Sequence, residues 1–256
     1  MPKFSIIIPT LGRSQSLSDC EDSIRMQSIK DYEIVKVTEE GPLAKISHLG
    51  AKRARGQYLC FIDDDVVCSP HWLEALSGAF RRGNSGVSGP SFITGTHRKQ
   101  RDCFRFPTVW FSSKTPGTIS PWGQWSLEAT KEGCSYDGPV DYLEACNMAF
   151  EAEAFRSVDG FDERYRGIGD WSEPDICFRI RALGKKLWFS RDAVVEHRPS
   201  QSGAYKKRLK PANRMENYEL FSKRWIKPSV RHSVYKLMLR TYFNLKENRH
   251  GISRSE

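Results

Sequence analysis

QYLCFIDDD, residues 57–65, is an apolar run of strand length that stops on three adjacent carboxylates. A short, unbroken apolar segment of this kind is the pattern of a strand buried on both faces. An interior strand that ends in Asp63, Asp64 and Asp65 ends in a crevice, because three like charges need water, a cation or a partner to offset their repulsion. Working outward, FSIIIP (4–9) is a second apolar run rich in β-branched residues, broken by Pro9, Thr10 and Gly12. Between the two lie a helical pattern from Ser14 to Gln27 with Leu17, Cys20 and Ile24 facing inward, a strand at Tyr32–Val37, and a helix over Leu43–Arg55 closed by Gly56. Downstream, Ser69 caps a helix with Pro70 at its first position, running to about Phe80. Alternating strands and helices predict an α/β domain, an open, twisted, mostly parallel sheet flanked by helices with a Rossmann-like nucleotide-binding half. Such sheets bind ligands beyond the carboxyl ends of their strands. Two of those ends are chemically marked here, Pro9-Thr10 and Asp63–Asp65.

The composition agrees with a folded catalytic or binding domain. Hydrophobic residues make up 39% and charged residues 28% of the chain, which excludes disorder and fibrous repeats. No run approaches the ~18 apolar residues of a membrane-spanning helix, and MPKFSIIIPT lacks the pattern of a secretory leader. Seven cysteines at irregular spacing, without C-x-x-C, predict reduced core residues and a reducing, cytoplasmic compartment. A dinucleotide oxidoreductase is disfavoured, since no G-x-G-x-x-G follows the first strand.

The net charge of +9 is uneven: residues 205–256 carry 14 Lys and Arg against 4 Asp and Glu. Val230, Val234, Leu237, Met238, Thr241 and Leu245 recur there at helical spacing, with Arg231, Lys236, Arg240 and Lys246 elsewhere on the wheel. A division follows into a catalytic domain over 1–204 and a basic, amphipathic, helical extension over 205–256. The extension fits a solvated tail, a face packed on the domain, or docking on an anionic membrane surface. Nucleic acid is not expected, because no reading motif is present.

From Thr94 to Pro139 regular patterning dissolves into a Gly, Pro, Ser and Thr-rich stretch holding Trp110, Trp122, Trp125 and Tyr136, rings that suit either sugar platforms or core filling. Regular structure returns at Tyr142–Phe150, followed by helices from about Glu151 and over Pro174–Leu183. Lys186–Ser190 and Ala193–Glu196 then read as a final strand pair. Asp170, Glu173 and Asp175 form a second acidic cluster. Asp175 suits a helix N-terminus, where the macrodipole favours negative charge. Glu173, just before Pro174, suits a general base facing a cleft. Asp63–Asp65 suit a hard divalent cation, and His197, at the end of AVVEH, is a candidate further ligand.

The chain resembles family 2 glycosyltransferases of the GT-A fold. FSIIIPTLGR looks like the family's opening strand, and GAKRARGQYLCFIDDDV like the segment leading into its D-x-D metal motif. ACNMAFEAEAFRSVDGFDERY is similar to its acceptor-side segment, and WSEPDICFRIRALGKKLWFSRDAVVEH to its base-bearing segment and closing strand. The resemblance implies a metal-dependent, inverting transfer from a nucleoside diphosphate sugar, UDP-sugars foremost, to a glycan or lipid-linked acceptor. Pro9 and Thr10 would line the nucleoside pocket, Glu39 or Glu40 would contact the base, and Lys45 would lie nearby. Asp63 and Asp64 would sit near ribose and diphosphate. Asp65 and His197 would hold Mn²⁺ or Mg²⁺, and Glu173 would be the catalytic carboxylate. TEEGP (38–42) is shorter than the family's acidic stretch. Ser47-His48 replaces a common Arg-Asn pair, and Glu173 stands where Asp is commoner. The competing readings are a nucleotidyltransferase on a similar scaffold and a non-catalytic nucleotide-sugar or carbohydrate-binding protein. The tail implies a peripheral position on the inner face of the membrane.

Overall fold

The computed structural model describes residues 1–12, 15–93, 113–126, 128–199 and 210–252. Trp110, Cys103 and Lys206–Arg208 lie outside the described residues. β1 (Phe4–Pro9) is buried along its whole length. It runs parallel to β2 (Tyr32–Val37) on one side and to β3 (Tyr58–Phe61) on the other. α1 (Gln15–Arg25) and α2 (Leu43–Arg53) are the intervening crossovers. After β3 come β4 (Val66–Cys68), α3 (Trp72–Arg81), β5 (Gly86–Ser88) and β6 (Ser91–Ile93). The second half contributes β7 (Gly138–Pro139), β8 (Met148–Glu151), α4 (Ala152–Ser157), α5 (Ser172–Ala182), β9 (Leu187–Phe189) and β10 (Val195–His197). It closes with α6 (Pro211–Trp225) and α7 (Val230–Ile252).

The main sheet has the order β2-β1-β3-β8-β5-β9-β7. Five of its strands share one direction, while β8 and β7 run against them. The expected α/β architecture is present, with a mixed sheet rather than a nearly parallel one. β8 enters antiparallel because Met148 pairs with Phe61, so the chain arrives at the carboxyl end of β3. The turn just before β8, residues 145–147, is thereby delivered to the crevice.

Three expectations need correction. The last two strands do not pair with each other: β9 joins β5 in the main sheet, and β10 enters a second sheet of order β4-β10-β6. The chain between them crosses Gly89, where a Cβ would come within 2.2 Å of the Ala193 carbonyl oxygen, so only glycine permits the crossing. α3 begins at Trp72 rather than at Pro70. Buried Gln27 takes the capping role, its Oε1 accepting from Leu73 N at 3.0 Å while its Nε2 donates to Ser69 O at 2.7 Å. α5 begins two residues earlier than Pro174, at Ser172.

α6 and α7 add Tyr218, Phe221, Tyr235, Leu239 and Phe243 to one of the two core clusters. The inward face of α7 therefore differs from the expected one. Tyr235 packs on Tyr218 at 5.6 Å, and Phe243 lies under the Arg214 guanidinium at 5.1 Å. Val230 and Leu237 are 81% and 64% exposed. Aromatic side chains with more surface to bury claimed the inner face, and the aliphatic stripe was left outside. No helix among the described residues is long and apolar enough to cross a membrane.

Candidate active site

The acidic corner is assembled by strand register. β10 pairs antiparallel with β4, setting His197 opposite Val66, next to the aspartates. His197 Nε2 lies 3.2 Å from Asp65 Oδ1 and 3.9 Å from Asp63 Oδ2. One donor atom from each of the three residues lies within 4.8 Å of the others. The backbone holds the corner too, since Arg198 N donates to Asp65 O at 2.9 Å. Burial pushes the His197 imidazole down, but Cys146 and Asp65 outweigh it, and the ring sits well above its ordinary value. Two carboxylates and one imidazole form a donor set that suits Mn²⁺ or Mg²⁺ and fits the metal site expected here. Asp64 turns elsewhere: Thr10 Oγ1 donates to its Oδ2 at 2.6 Å, tying the carboxyl end of β1 to that of β3. Thr10 Oγ1 in turn accepts from Gly12 N at 3.0 Å, which shapes the loop after β1.

A cleft of about 310 Å³, open to solvent, lies beyond the strand ends. Pro9 and Asp63 line it from the first half, and Ala145, Ser172 and Glu173 from the second. Of the expected donor-side residues, Pro9 and Asp63 reach this cleft, and Thr10 and Asp64 bond to each other at its margin. Glu39 is instead engaged by Arg53. Lys45 is exposed on α2, whose Leu43, Ala44 and Ser47 face the cleft. Glu40 is exposed in the loop after β2.

Glu173 stands in the first turn of α5. Burial pushes its carboxyl up to about 8, and the nearby charges of Asp170 and Glu144 add to the rise. The helix begins in an unusual way: Trp171, its N-cap, adopts a left-handed conformation with φ 67°. That backbone is uncommon for a bulky residue and persists only where its surroundings enforce it. Here the indole Nε1 donates to Gly123 O at 2.8 Å, and the ring lies between Trp125 at 4.7 Å and Tyr218 at 5.2 Å. Trp125 thus fills core beside the helix start. Trp122 and Tyr136 also pack against the core.

α6 braces the same segment. Arg214 pairs with Asp170 through two contacts of 2.9 and 3.1 Å. Asp175, fully buried, accepts from Arg179 at 2.9 Å, Arg224 at 2.7 Å and Trp225 Nε1 at 2.8 Å. Asp175 is therefore more than a helix-dipole residue, and three donors from two helices converge on it. Nothing in the local sequence pairs residue 175 with residues 224 and 225. Tyr142 and Glu144 also lie near Glu173 and have no place among the site residues expected from the sequence. Their only signal was a lone carboxylate inside the apolar run YLEAC.

The comparisons with known proteins agree with this geometry. Residues 43–120 match the family described as Glycosyl transferase family 2. The O-antigen biosynthesis protein RfbC of Myxococcus xanthus is 26% identical over 235 residues, covering 78% of this chain and 18% of that protein. The chain thus spans about a fifth of the length of the curated relative it matches. Among solved structures, GalNAc-T7 with UDP, GalNAc and Mn²⁺ superposes with a TM-score of 0.58 at 13% identity, over 87% of this chain and 48% of that one. S. aureus TarS 1-349 in complex with UDP-GlcNAc gives 0.59 at 11% identity, over 93% and 70%. The mannosyltransferase PcManGT of Pyrobaculum calidifontis, with GDP-Man and Mn²⁺, gives 0.53 at 14% identity, over 95% and 70%. At such identities these structures speak for the fold alone, and that fold is the GT-A fold of glycosyltransferases. The family match over residues 43–120 is to family 2 glycosyltransferases, in keeping with that fold.

Proposed function

We propose that the chain is a metal-dependent, inverting glycosyltransferase that moves a sugar from a nucleoside diphosphate sugar to a hydroxyl of a glycan or lipid-linked glycan. The observation that carries this reading is the shared cleft: Asp63 from the metal corner and Glu173 from the opposite half line one cavity. A donor diphosphate at the acidic corner and an acceptor hydroxyl at Glu173 would meet there. Asp63, Asp65 and His197 would hold the cation, which stabilises the negative charge gathering on the departing diphosphate. Pro9, Thr10, Asp63 and Asp64 would shape the nucleoside and ribose end, with Glu39, Glu40 and Lys45 in the loop and helix beside it.

The transfer is a single displacement. Glu173, ionised, takes the proton of the acceptor hydroxyl. That oxygen forms its bond to the anomeric carbon as the bond to the diphosphate breaks, and the electron pair leaves with the nucleoside diphosphate. One base and no covalent enzyme intermediate give inversion. A buried carboxyl whose proton is held tightly is a stronger base than a free one, which suits an unactivated hydroxyl. UDP-sugars are the first donors to test, since GalNAc-T7 was solved with UDP and TarS with UDP-GlcNAc; GDP-mannose, seen with PcManGT, is the next. An anionic membrane surface on the cytoplasmic side is the partner we assign to the outer face of α7, whose exposed Val230, Val234, Leu237 and Leu245 lie within the basic segment.

The deciding experiment incubates the full chain with UDP-GlcNAc, UDP-GalNAc or GDP-mannose, Mn²⁺ and candidate acceptors, and analyses products. Free nucleoside diphosphate with a lengthened acceptor supports the reading. Pyrophosphate as product points to nucleotidyl transfer, and tight binding with no turnover points to a binding protein.

A further inference from the structure

The stretch 166–171, which leads into Glu173, belongs to no strand or helix. Three of its residues hold left-handed backbone: Gly167 at φ 60°, Gly169 at φ 81° and Trp171 at φ 67°. Its internal bonds are those of turns, Gly169 N donating to Arg166 O at 3.0 Å and Ser172 N to Gly169 O at 2.8 Å. A segment so strained and so short of ladder bonds takes its placement from partners outside it. One partner is α2: Leu43 N donates to Gly167 O at 2.9 Å, and Leu43 and Ala44 line the same cleft as Ser172 and Glu173. Another is the side chain of Asn217 on α6, buried at 1% exposure. Its Oδ1 accepts from Arg166 N at 2.7 Å, and its Nδ2 donates to Arg166 O at 2.9 Å.

Asn217 thus meets both backbone groups of one residue, as a neighbouring strand would. A carboxamide offers an acceptor and a donor side by side. A leucine of similar size would satisfy neither group. The neighbours of Asn217 on α6 act elsewhere: Arg214 reaches the side chain of Asp170, and Tyr218 the carbonyl of Trp122.

We propose that Asn217 is a positioning residue for the transfer: by holding the backbone of Arg166 it fixes the segment that runs from its contact with α2 to the start of α5, and so sets Glu173 in its place in the cleft. The proposal rests on the reading of Glu173 as base. Placement governs the rate of such a group, and an error of about 1 Å costs on the order of 10²-fold. The metal corner does not depend on this anchor, since Asp63, Asp65 and His197 stand at the ends of β3 and β10.

The test compares Asn217→Leu, Asn217→Ala and Leu239→Val in the full chain. Leu239 is buried on α7, and its shortening is the control for lost packing. Should Asn217→Leu fail to fold, Asn217→Ala, which leaves room for water at Arg166, carries the same comparison. Amide hydrogen exchange needs no substrate. The Asn217 variants should speed exchange across residues 166–173 and leave residues 58–68 as they were. Unchanged exchange at 166–173, or an equal rise there in Leu239→Val, overturns the proposal. Turnover of UDP-GlcNAc, UDP-GalNAc or GDP-mannose with Mn²⁺ reads the consequence. Asn217→Ala should lower kcat by on the order of 10²-fold with the KM for the donor unchanged, and Leu239→Val should keep both. On the Glu173→Gln background Asn217→Ala should cost little further turnover, because a residue that acts through Glu173 has nothing left to place. An unchanged kcat in Asn217→Ala, or a full second loss in the double variant, overturns the proposal. A fully active Glu173→Gln, or an unaltered chain without turnover, defeats the base reading and the positioning role with it. The exchange data still report whether Asn217 holds the segment, so the two failures are told apart.

Discussion

The two walls of the cleft are built on opposite terms. The metal corner draws its groups from strand ends that neighbour each other in the sheets, and its charges face one another: two aspartates beside an imidazole pulled upward by them. The Glu173 corner is a carboxyl at a helix start, pushed up by burial and by like charges, and braced from behind by α6. One wall is charged and ready for a cation. The other is kept short of charge until a proton leaves. The transfer proposed above, which would stabilise a leaving anion and deprotonate a neutral hydroxyl, needs this asymmetry.

The contrast can be broken most severely at the base. Glu173→Gln should lower turnover by roughly 10²–10⁴-fold while donor binding and the folded state persist, as read by product analysis and nucleotide binding. At the other wall, Asp65→Ala or His197→Ala should abolish the stimulation of donor binding by Mn²⁺, and a chelator should do the same to the unaltered chain. Calorimetric titration with the nucleoside diphosphate checks both. Binding that ignores the chelator would remove the metal from the mechanism.

The brace behind Glu173 predicts a third effect. Arg224→Ala leaves Asp175 buried with one partner fewer and should cost about 1–3 kcal/mol of stability, measured by denaturant unfolding, with Arg224→Lys recovering part. The two raised carboxyls predict a pH dependence of similar size. Glu173 and Glu144 hold protons in the fold that the unfolded chain releases near 4.5. Their contribution is therefore complete below that pH and declines as pH climbs through about 7 and about 8. Glu173→Gln should then be more stable than the unaltered chain at alkaline pH, by roughly 1–3 kcal/mol, with the difference fading on acidification.

The smallest effects belong to the outside of α7. Leu237→Ser should change stability by no more than about 0.5 kcal/mol and weaken binding to anionic vesicles. Leu239→Ala, two residues on and buried, should cost about 2–5 kcal/mol. Unaltered vesicle binding in Leu237→Ser would deny the membrane a role.

Much of the first half was legible in the residues themselves. FSIIIP and QYLCFI are continuous apolar runs, and only interior strands make sense of them. The aspartates after the second run could be assigned to a strand end without coordinates. His197 was suspected from its position after an apolar strand, but its partners were not derivable, because the β10–β4 register joins residues well over a hundred positions apart. Glu173 was singled out by its place before Pro174. Its environment was hidden, because the groups that shift and brace it come from residue 144, from residues 214 to 225 and from the aromatic loop at 122–125. In the tail, periodicity found a real apolar stripe, though the inward face went to Tyr235, Leu239 and Phe243.

What the amino-acid order determined alone is the alternation of strands and helices and the kinds of chemistry available at their ends. Apolar runs and carboxylate clusters are local facts, and hydrophobic burial makes them binding on any fold. Which carboxylate meets which imidazole, and which carboxyls burial pushes up, was decided only by tertiary structure. Those outcomes depend on distances between segments remote in sequence and on how far water is kept out. Neither quantity exists until the sheets and the C-terminal helices have closed around the cleft.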